Sequence, residues 1–266
     1  SLSLGTIITI SSSHWLLAWA GLEMSTLAIV PIISKQHHPR ATEAATKYFL
    51  IQAAASTLIL FSSSINAWKT GLWDITQLST PESTTMLTLA LAMKLGLAPL
   101  HFWLPEVLQG STLPTAMIIV TWQKLAPMAI LLLTMNSLNY KALITLGLFS
   151  SLFGGLAGLN QTQTRKIMAF SSVAHMGWLV IALTITPNIT LITLLIYLLL
   201  TTTMFSTLIS TTSKTLLDLG TTSHQTPITL TISMLTLMSL GGLPPLTGFM
   251  PKWLILTTLT TNNMPL

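Results

Sequence analysis

Charge is what this chain has least of. Only 6% of its 266 residues are Asp, Glu, Lys or Arg, against about 25% in soluble domains. Mean hydropathy is +0.72 and 51% of the residues are hydrophobic. These values exclude a soluble domain with a large core and indicate an integral membrane protein. Cysteine is absent, which excludes disulfides, thiolate metal sites and Cys-ligated iron–sulfur clusters. The sequence has no phosphate loop, dinucleotide fingerprint, nucleophile triad or His/Glu metal cluster, so no motif of its own binds NADH, flavin or a metal. The net charge of +5 rests on 11 basic and 6 acidic residues. In a membrane protein such an excess marks one set of loops and does not imply nucleic acid.

What is present is a series of long apolar runs without the alternation of a barrel strand, so the expectation is all-α and polytopic. A short helix is expected at 1–10. Spans follow near 13–33, 47–66, 84–107, 113–134, 141–160, 166–185 and 188–211. A further span at 227–249 is interrupted by Gly and Pro, and another starts at 251. The longest polar connections are 34–46, 67–83 and 212–226. Residues 1–266 read as a single transmembrane domain of about ten helices or part-helices. The chain opens at Ser1 inside an apolar run and stops at Leu266, so a fragment or a mature chain with further ends is expected. Counted in order, the even loops carry Lys35, Arg40, Lys47, Arg165, Lys166 and Lys214, and the odd loops carry Lys69 and Lys141. The positive-inside rule places the even loops on the cytoplasmic or matrix side. Trp15, Trp68, Trp73 and Trp103 fall near span ends, as an interfacial belt requires.

Lys94 and Lys124 stand out against this background. Each lies mid-span, ~15 Å from either end at the helical rise. A lysine at the centre of a spanning helix costs roughly 2.5–3.5 kcal/mol on insertion scales. Two in consecutive spans point to an ion or proton path. Snorkelling does not rescue Lys124, which is too far from either interface. Glu23 is the one carboxylate in the middle of any span. It can serve as a counter-ion that lets a lysine insert. It can also form a switchable pair with Lys94, because a buried lysine holds its proton according to how close a carboxylate stands. Lys124, with no second mid-span carboxylate, then becomes a carrier that exchanges with Lys94 through water. His175 also lies deep, with Trp178 on the same helix face. It is either hydrogen-bonded to a neighbour or a relay. His101 and Glu106 flank a helix break and face an interface or a polar cavity. Gly154 and Gly158 form a GxxxG face of the close-packing kind.

The chain also echoes itself. Residues 96–106, GLAPLHFWLPE, align with residues 242–252, GLPPLTGFMPK, and Gly, Leu, Pro, Leu and a second Pro coincide. Proline breaks or kinks a spanning helix. Paired interrupted helices are the mark of a two-repeat transporter with its ion site near mid-membrane. Lys252 follows the second break. In a straight helix it reaches the far interface, and in a broken one it lies near mid-depth.

The segments HWLLAWAGLEMSTLAIVPI, AMKLGLAPLHFWLPEVLQG, TWQKLAP, KIMAFSSVAHMGW and SLGGLPPLTGFMPKW resemble the antiporter-like subunits of respiratory complex I, specifically the mitochondrially encoded NADH dehydrogenase subunit 2 family. The resemblance covers essentially the whole chain and implies that a short N-terminal piece and the C-terminal helices are lacking. It implies an antiporter-like inverted-repeat helix bundle with two broken transmembrane helices, in the mitochondrial inner membrane. It further implies that Glu23 of GLE, Lys94 of MKLGLAP, Lys124 of WQKLAP and Lys252 after the second break carry protons. On this resemblance the chain binds no cofactor. NADH, FMN, iron–sulfur clusters and ubiquinone are expected in partner subunits. The expected partners are other membrane-arm subunits and phospholipid, with no nucleic acid. A free-standing cation/proton antiporter and a non-transporting scaffold are the competing functions.

Overall fold

A computed structural model describes residues 1–35, 38–221 and 226–261. Among these residues no strand forms, and two compact units emerge, residues 1–146 and 147–266. Among the described residues, six helical stretches are long and apolar enough to cross a membrane: Trp15–Ser34, Pro39–Thr70, Leu113–Thr134, Tyr140–Leu159, Thr164–Ile185 and Pro187–Thr211.

The first unit holds α1 (Leu2–Ser11), α2 (Trp15–Ser34), α3 (Pro39–Thr70), α4 (Pro81–Leu95), α5 (Trp103–Gly110), α6 (Leu113–Val120) and α7 (Leu125–Thr134). The helix α3 begins inside the connection expected at 34–46. Its start, PRATEAATK, is rich in the helix formers Ala, Glu and Lys, and proline at the first helical position lacks only an N–H that would be orphaned anyway. Packing runs α1 on α2, α2 on α3 and α3 on α4. Gly5 and Gly21 let the first pair approach closely: a Cβ on Gly5 would stand 2.7 Å from the Gly21 carbonyl oxygen. At one end of the unit, His14 and Asp74 form an isolated β-bridge and the Trp15 indole N–H donates to Asp74 O at 3.1 Å. Trp15 and Trp103 are buried and satisfied by backbone carbonyls, while Trp68 is 92% exposed. Of these three, only Trp68 has the free surface that an interfacial belt requires, because the indole N–H of the other two caps carbonyls inside the protein.

The second unit comprises most of α8 (Tyr140–Leu159), with α9 (Thr164–Ile185), α10 (Pro187–Thr211), α11 (Leu216–Thr221), α12 (Pro227–Gly241) and α13 (Phe249–Thr261). The short α11 lies in the connection expected at 212–226, part of which falls outside the described residues. A bridge between Gln163 and Thr215 joins two of its loops. Close packing of α8 on α9 runs through Gly147, Gly154 and Gly177, each pressed on backbone or side-chain atoms of the other helix. Gly158 meets only Phe170 Cβ, at 3.6 Å. The contact face therefore follows positions 147 and 154 and not the GxxxG pair itself.

Among the described residues, three spans are interrupted. The breaks at 96–102 and 242–248 were expected from the echo. The third was not: within 113–134 the helix tightens into a 3-10 turn at Trp122–Lys124. Pro127 explains its place. It supplies no N–H to the carbonyl four residues back, at Gln123, and its ring crowds that turn.

Hydroxyl groups inside the helices mostly bond back to their own backbone. Ser25 donates to Leu22 O, Ser62 to Ile59 O, Ser172 to Ala169 O and Thr201 to Tyr197 O, at 2.7–2.8 Å.

Candidate functional site

The two breaks repeat at atomic level. Gly96 and Gly242 both adopt the left-handed conformation, at φ +73° and +82°. In each, the glycine N–H and the following N–H turn back onto the last helical turn. Gly96 N donates to Met93 O and Leu97 N to Ala92 O; Gly242 N donates to Ser239 O and Leu243 N to Met238 O. Both are Schellman endings, which suit glycine because the left-handed residue carries no Cβ. The peptides Ala98–Pro99 and Pro244–Pro245 are both cis.

The first break places Lys94 in the last turn of α4, 5% exposed. The unsatisfied carbonyls of a helix end carry partial negative charge, so a cation is favoured there by about 0.3–2 kcal/mol. Trp103, at the start of α5, turns its indole N–H onto Met93 O at 3.1 Å. Lys124 ends the 3-10 turn and is 4% exposed. Both lysines line one cavity, with Tyr48 and Gln52 from α3, Ser25 and Thr26 from α2, and Gln123. The Gln123 amide N–H donates to Ser25 O at 3.0 Å and so ties the 3-10 turn to α2. Lys124 turns inward to this cavity and does not run along its helix toward an interface.

Glu23 is half-buried on α2 and within electrostatic reach of Lys94 and Tyr48. No ion pair joins it to Lys94. Glu23 Oε2 and Lys94 Nζ are both buried without a hydrogen-bond partner among the described residues. Glu23 stands next to Leu22 in sequence, but Leu22 and not Glu23 lines the cavity. Glu106 lies on α5 and pairs with Lys47 of α3 at 2.7 Å; Lys47 also pairs with Glu43. This cluster is half exposed and holds α5 on α3. His101 is buried, stacked on Phe102 with ring centroids 4.5 Å apart.

In the second unit His175, Tyr197 and Lys252 line one cavity, with Trp178 beside them. His175 Nδ1 lies 2.7 Å from Ser171 O, and its ring is 5.6 Å from that of Tyr197. The helix break brings Lys252 back against α12, where its ammonium donates to Leu240 O at 3.1 Å and Gly241 O at 3.2 Å. A second, wider cleft of about 350 Å³ reaches the same Lys252 and His175 from between α8, α9 and α12. Sequence reasoning missed Tyr48, Gln52, Gln123 and Tyr197. A faint signal existed: Tyr48 and Gln52 are polar side chains four residues apart on one face of an apolar span.

Among the described residues, no group of three or more His, Asp or Glu side chains could hold a metal. The arrangement can hold and exchange protons, since buried lysines share a polar cavity in one unit and a histidine, tyrosine and lysine share one in the other.

Residues 12–266 match the family described as "NADH:quinone oxidoreductase/Mrp antiporter, TM". The chain is 58% identical over 264 residues to the NADH-ubiquinone oxidoreductase chain 2 of Struthio camelus, covering 99% of this chain and 76% of that one. It is 56% identical over 266 residues to the protein of the same name from Salmo salar, covering 100% and 76%. A chain of respiratory complex I from Thermus thermophilus, solved with bound aureothin, superposes with a TM-score of 0.90 at 30% identity. That match covers 98% of this chain and 62% of the other.

Proposed function

The chain belongs to the NADH:quinone oxidoreductase/Mrp antiporter membrane family, among relatives named NADH-ubiquinone oxidoreductase chain 2, and from that premise we propose that it translocates protons as a membrane-arm subunit of respiratory complex I. Its place is the mitochondrial inner membrane, as a multi-pass protein among other membrane-arm subunits and phospholipid. The energy comes from electron transfer between NADH and ubiquinone. The redox groups, FMN and iron–sulfur clusters included, belong to partner subunits, and no step in this chain passes through them.

One observation carries the reading: Lys94 and Lys124 are both buried and line the same polar cavity. A cation of this kind is costly in a membrane and is kept where it moves charge. Glu23 is near enough to bias Lys94 electrostatically without touching it, which leaves the pair free to tighten or loosen. When the carboxylate approaches, Lys94 holds its proton; when it withdraws, the proton passes to Lys124. His175 and Lys252 form the corresponding station of the second unit.

The test is Lys94→Met and Lys124→Met, each in assembled complex reconstituted into vesicles, with protons moved per electron as the readout. The expected result is a lower ratio in both, with the complex present in normal amount. An unchanged ratio in both overturns the proposal. A lower abundance with normal pumping per complex assigns the lysines to assembly.

A further inference from the structure

A proton that leaves the Lys94 ammonium needs an acceptor, and a lysine offers one only as the neutral amine, because its charged form has donors alone. A side chain that both accepts and donates can bridge the two nitrogens. Tyr48 is such a side chain. It is 1% exposed, lines the cavity that holds Lys94 and Lys124, and its hydroxyl has no hydrogen-bond partner among the described residues. Buried tyrosine hydroxyls ordinarily find a partner, so an orphan at this place is unusual. Its ring is also fixed. Tyr48 packs edge-on against Trp103, with centroids 5.8 Å apart at 64°, and Trp103 is the side chain whose indole holds the carbonyl next to Lys94. Any movement of the first break therefore moves the support of the Tyr48 ring.

Resting on the function proposed above, we infer that Tyr48 relays protons between Lys94 and Lys124. The hydroxyl oxygen accepts a hydrogen bond from the Lys94 ammonium while its O–H donates to the lone pair of a neutral Lys124 amine, directly or through one water; afterwards Lys94 is neutral and Lys124 charged. One proton leaves Lys94 Nζ, one arrives on Lys124 Nζ, and the tyrosine ends with the proton count it began with. No oxidant, reductant or other reactant enters the step. A tyrosine that served packing alone would need its ring and not its hydroxyl.

Tyr48→Phe separates these roles, because it keeps the ring against Trp103 and removes the O–H. It is compared with Lys124→Met in the same assembled complex, reading complex abundance, protons per electron, and coupled turnover in H₂O and D₂O. The relay predicts normal abundance and a coupled turnover reduced about tenfold, the scale of one charge-assisted hydrogen bond, with an altered solvent isotope effect. Normal turnover and isotope effect in Tyr48→Phe, with Lys124→Met impaired, overturn the relay and leave the proton-translocating function standing. If Lys124→Met is normal as well, the function itself falls. A Tyr48→Phe complex that does not assemble assigns the hydroxyl to folding and also overturns the relay.

Discussion

The two breaks share a backbone and differ in how they treat the carbonyls that the break exposes. After Gly96, the Met93 carbonyl receives the neutral indole of Trp103. After Gly242, the equivalent carbonyl, Ser239 O, is covered by the backbone of Gly248, and the next two, Leu240 O and Gly241 O, receive the ammonium of Lys252. In the echo Gly248 corresponds to Phe102, which is 70% exposed. The room that an indole fills in one unit is closed by a glycine in the other. The lysines obey a common rule despite their different positions in sequence: each belongs to the C-terminal end of a half-helix, where partial negative charge accumulates. Lys94 sits in that helix, whereas Lys252 reaches back from the next one. A repeat can thus keep its electrostatics while the residue that supplies the charge moves along the chain.

The largest effect should come from removing the tight approach in the second break. A Cβ on Gly248 would lie 1.8 Å from Ser239 O, so Gly248→Ala should abolish stable assembly of the subunit. Phe102→Ala at the corresponding place in the first break should leave abundance near normal in the same native-gel measurement. Equal effects at both sites would break the comparison.

A smaller contrast separates the lysines. Lys252→Met strands the carbonyl of buried Leu240, which costs about 1–3 kcal/mol and should lower the midpoint of thermal unfolding of the complex's membrane arm. Among the described residues Lys94 Nζ has no hydrogen bond to lose, so Lys94→Met should leave that midpoint unchanged or raise it, since burying a methionine is cheaper than burying a charge. A drop of the same size for both would show that Lys94 is held by bonds like those of Lys252.

The smallest effect belongs to the loop of the second unit, which has no counterpart in the first break. The exposed Asp218 carboxylate accepts the Thr215 and Lys214 N–H groups, and these bonds hold its carboxyl below the usual carboxylate range. A group with a depressed pKa stabilises the fold above its unfolded value, about 3.9 for Asp, and loses that contribution as pH falls through its folded value. Proteolytic nicking near 214–218 should therefore be constant at neutral pH and rise only in acid. Asp218→Asn should nick at neutral pH as the acid form of the native chain does.

Much of this was legible beforehand because apolar runs and paired Gly/Pro segments act locally. The spans and the two helix breaks needed no tertiary information. The 3-10 turn that ends at Lys124 was hidden because Pro127 resembles any proline in a membrane helix, and only its register relative to Gln123 locates the distortion. The start of α3 was missed because a search for apolar runs passes over PRATEAATK, which is helical by propensity and polar by composition. Tyr48 was missed for a tertiary reason. Nothing in KYFLIQAA states that its hydroxyl meets a cavity formed with α2, α4 and the 3-10 turn. The separation of Glu23 from Lys94 is likewise a matter of packing, which spacing along separate helices does not encode.

The hydroxyls that bond back to their own helices also bear on how the chain enters the bilayer. In α10, which carries no charged residue, Thr201 and its neighbours arrive with their O–H groups already satisfied. Such a span needs no neighbour to be soluble in lipid. The half-helix α4 differs, since Lys94 finds no internal partner and costs roughly 2.5–3.5 kcal/mol at mid-membrane. Biogenesis therefore has an order written into it: α10 can leave the insertion machinery alone, whereas α4 is best released together with α2 and α3, which precede it in the chain and bring Glu23 and Tyr48.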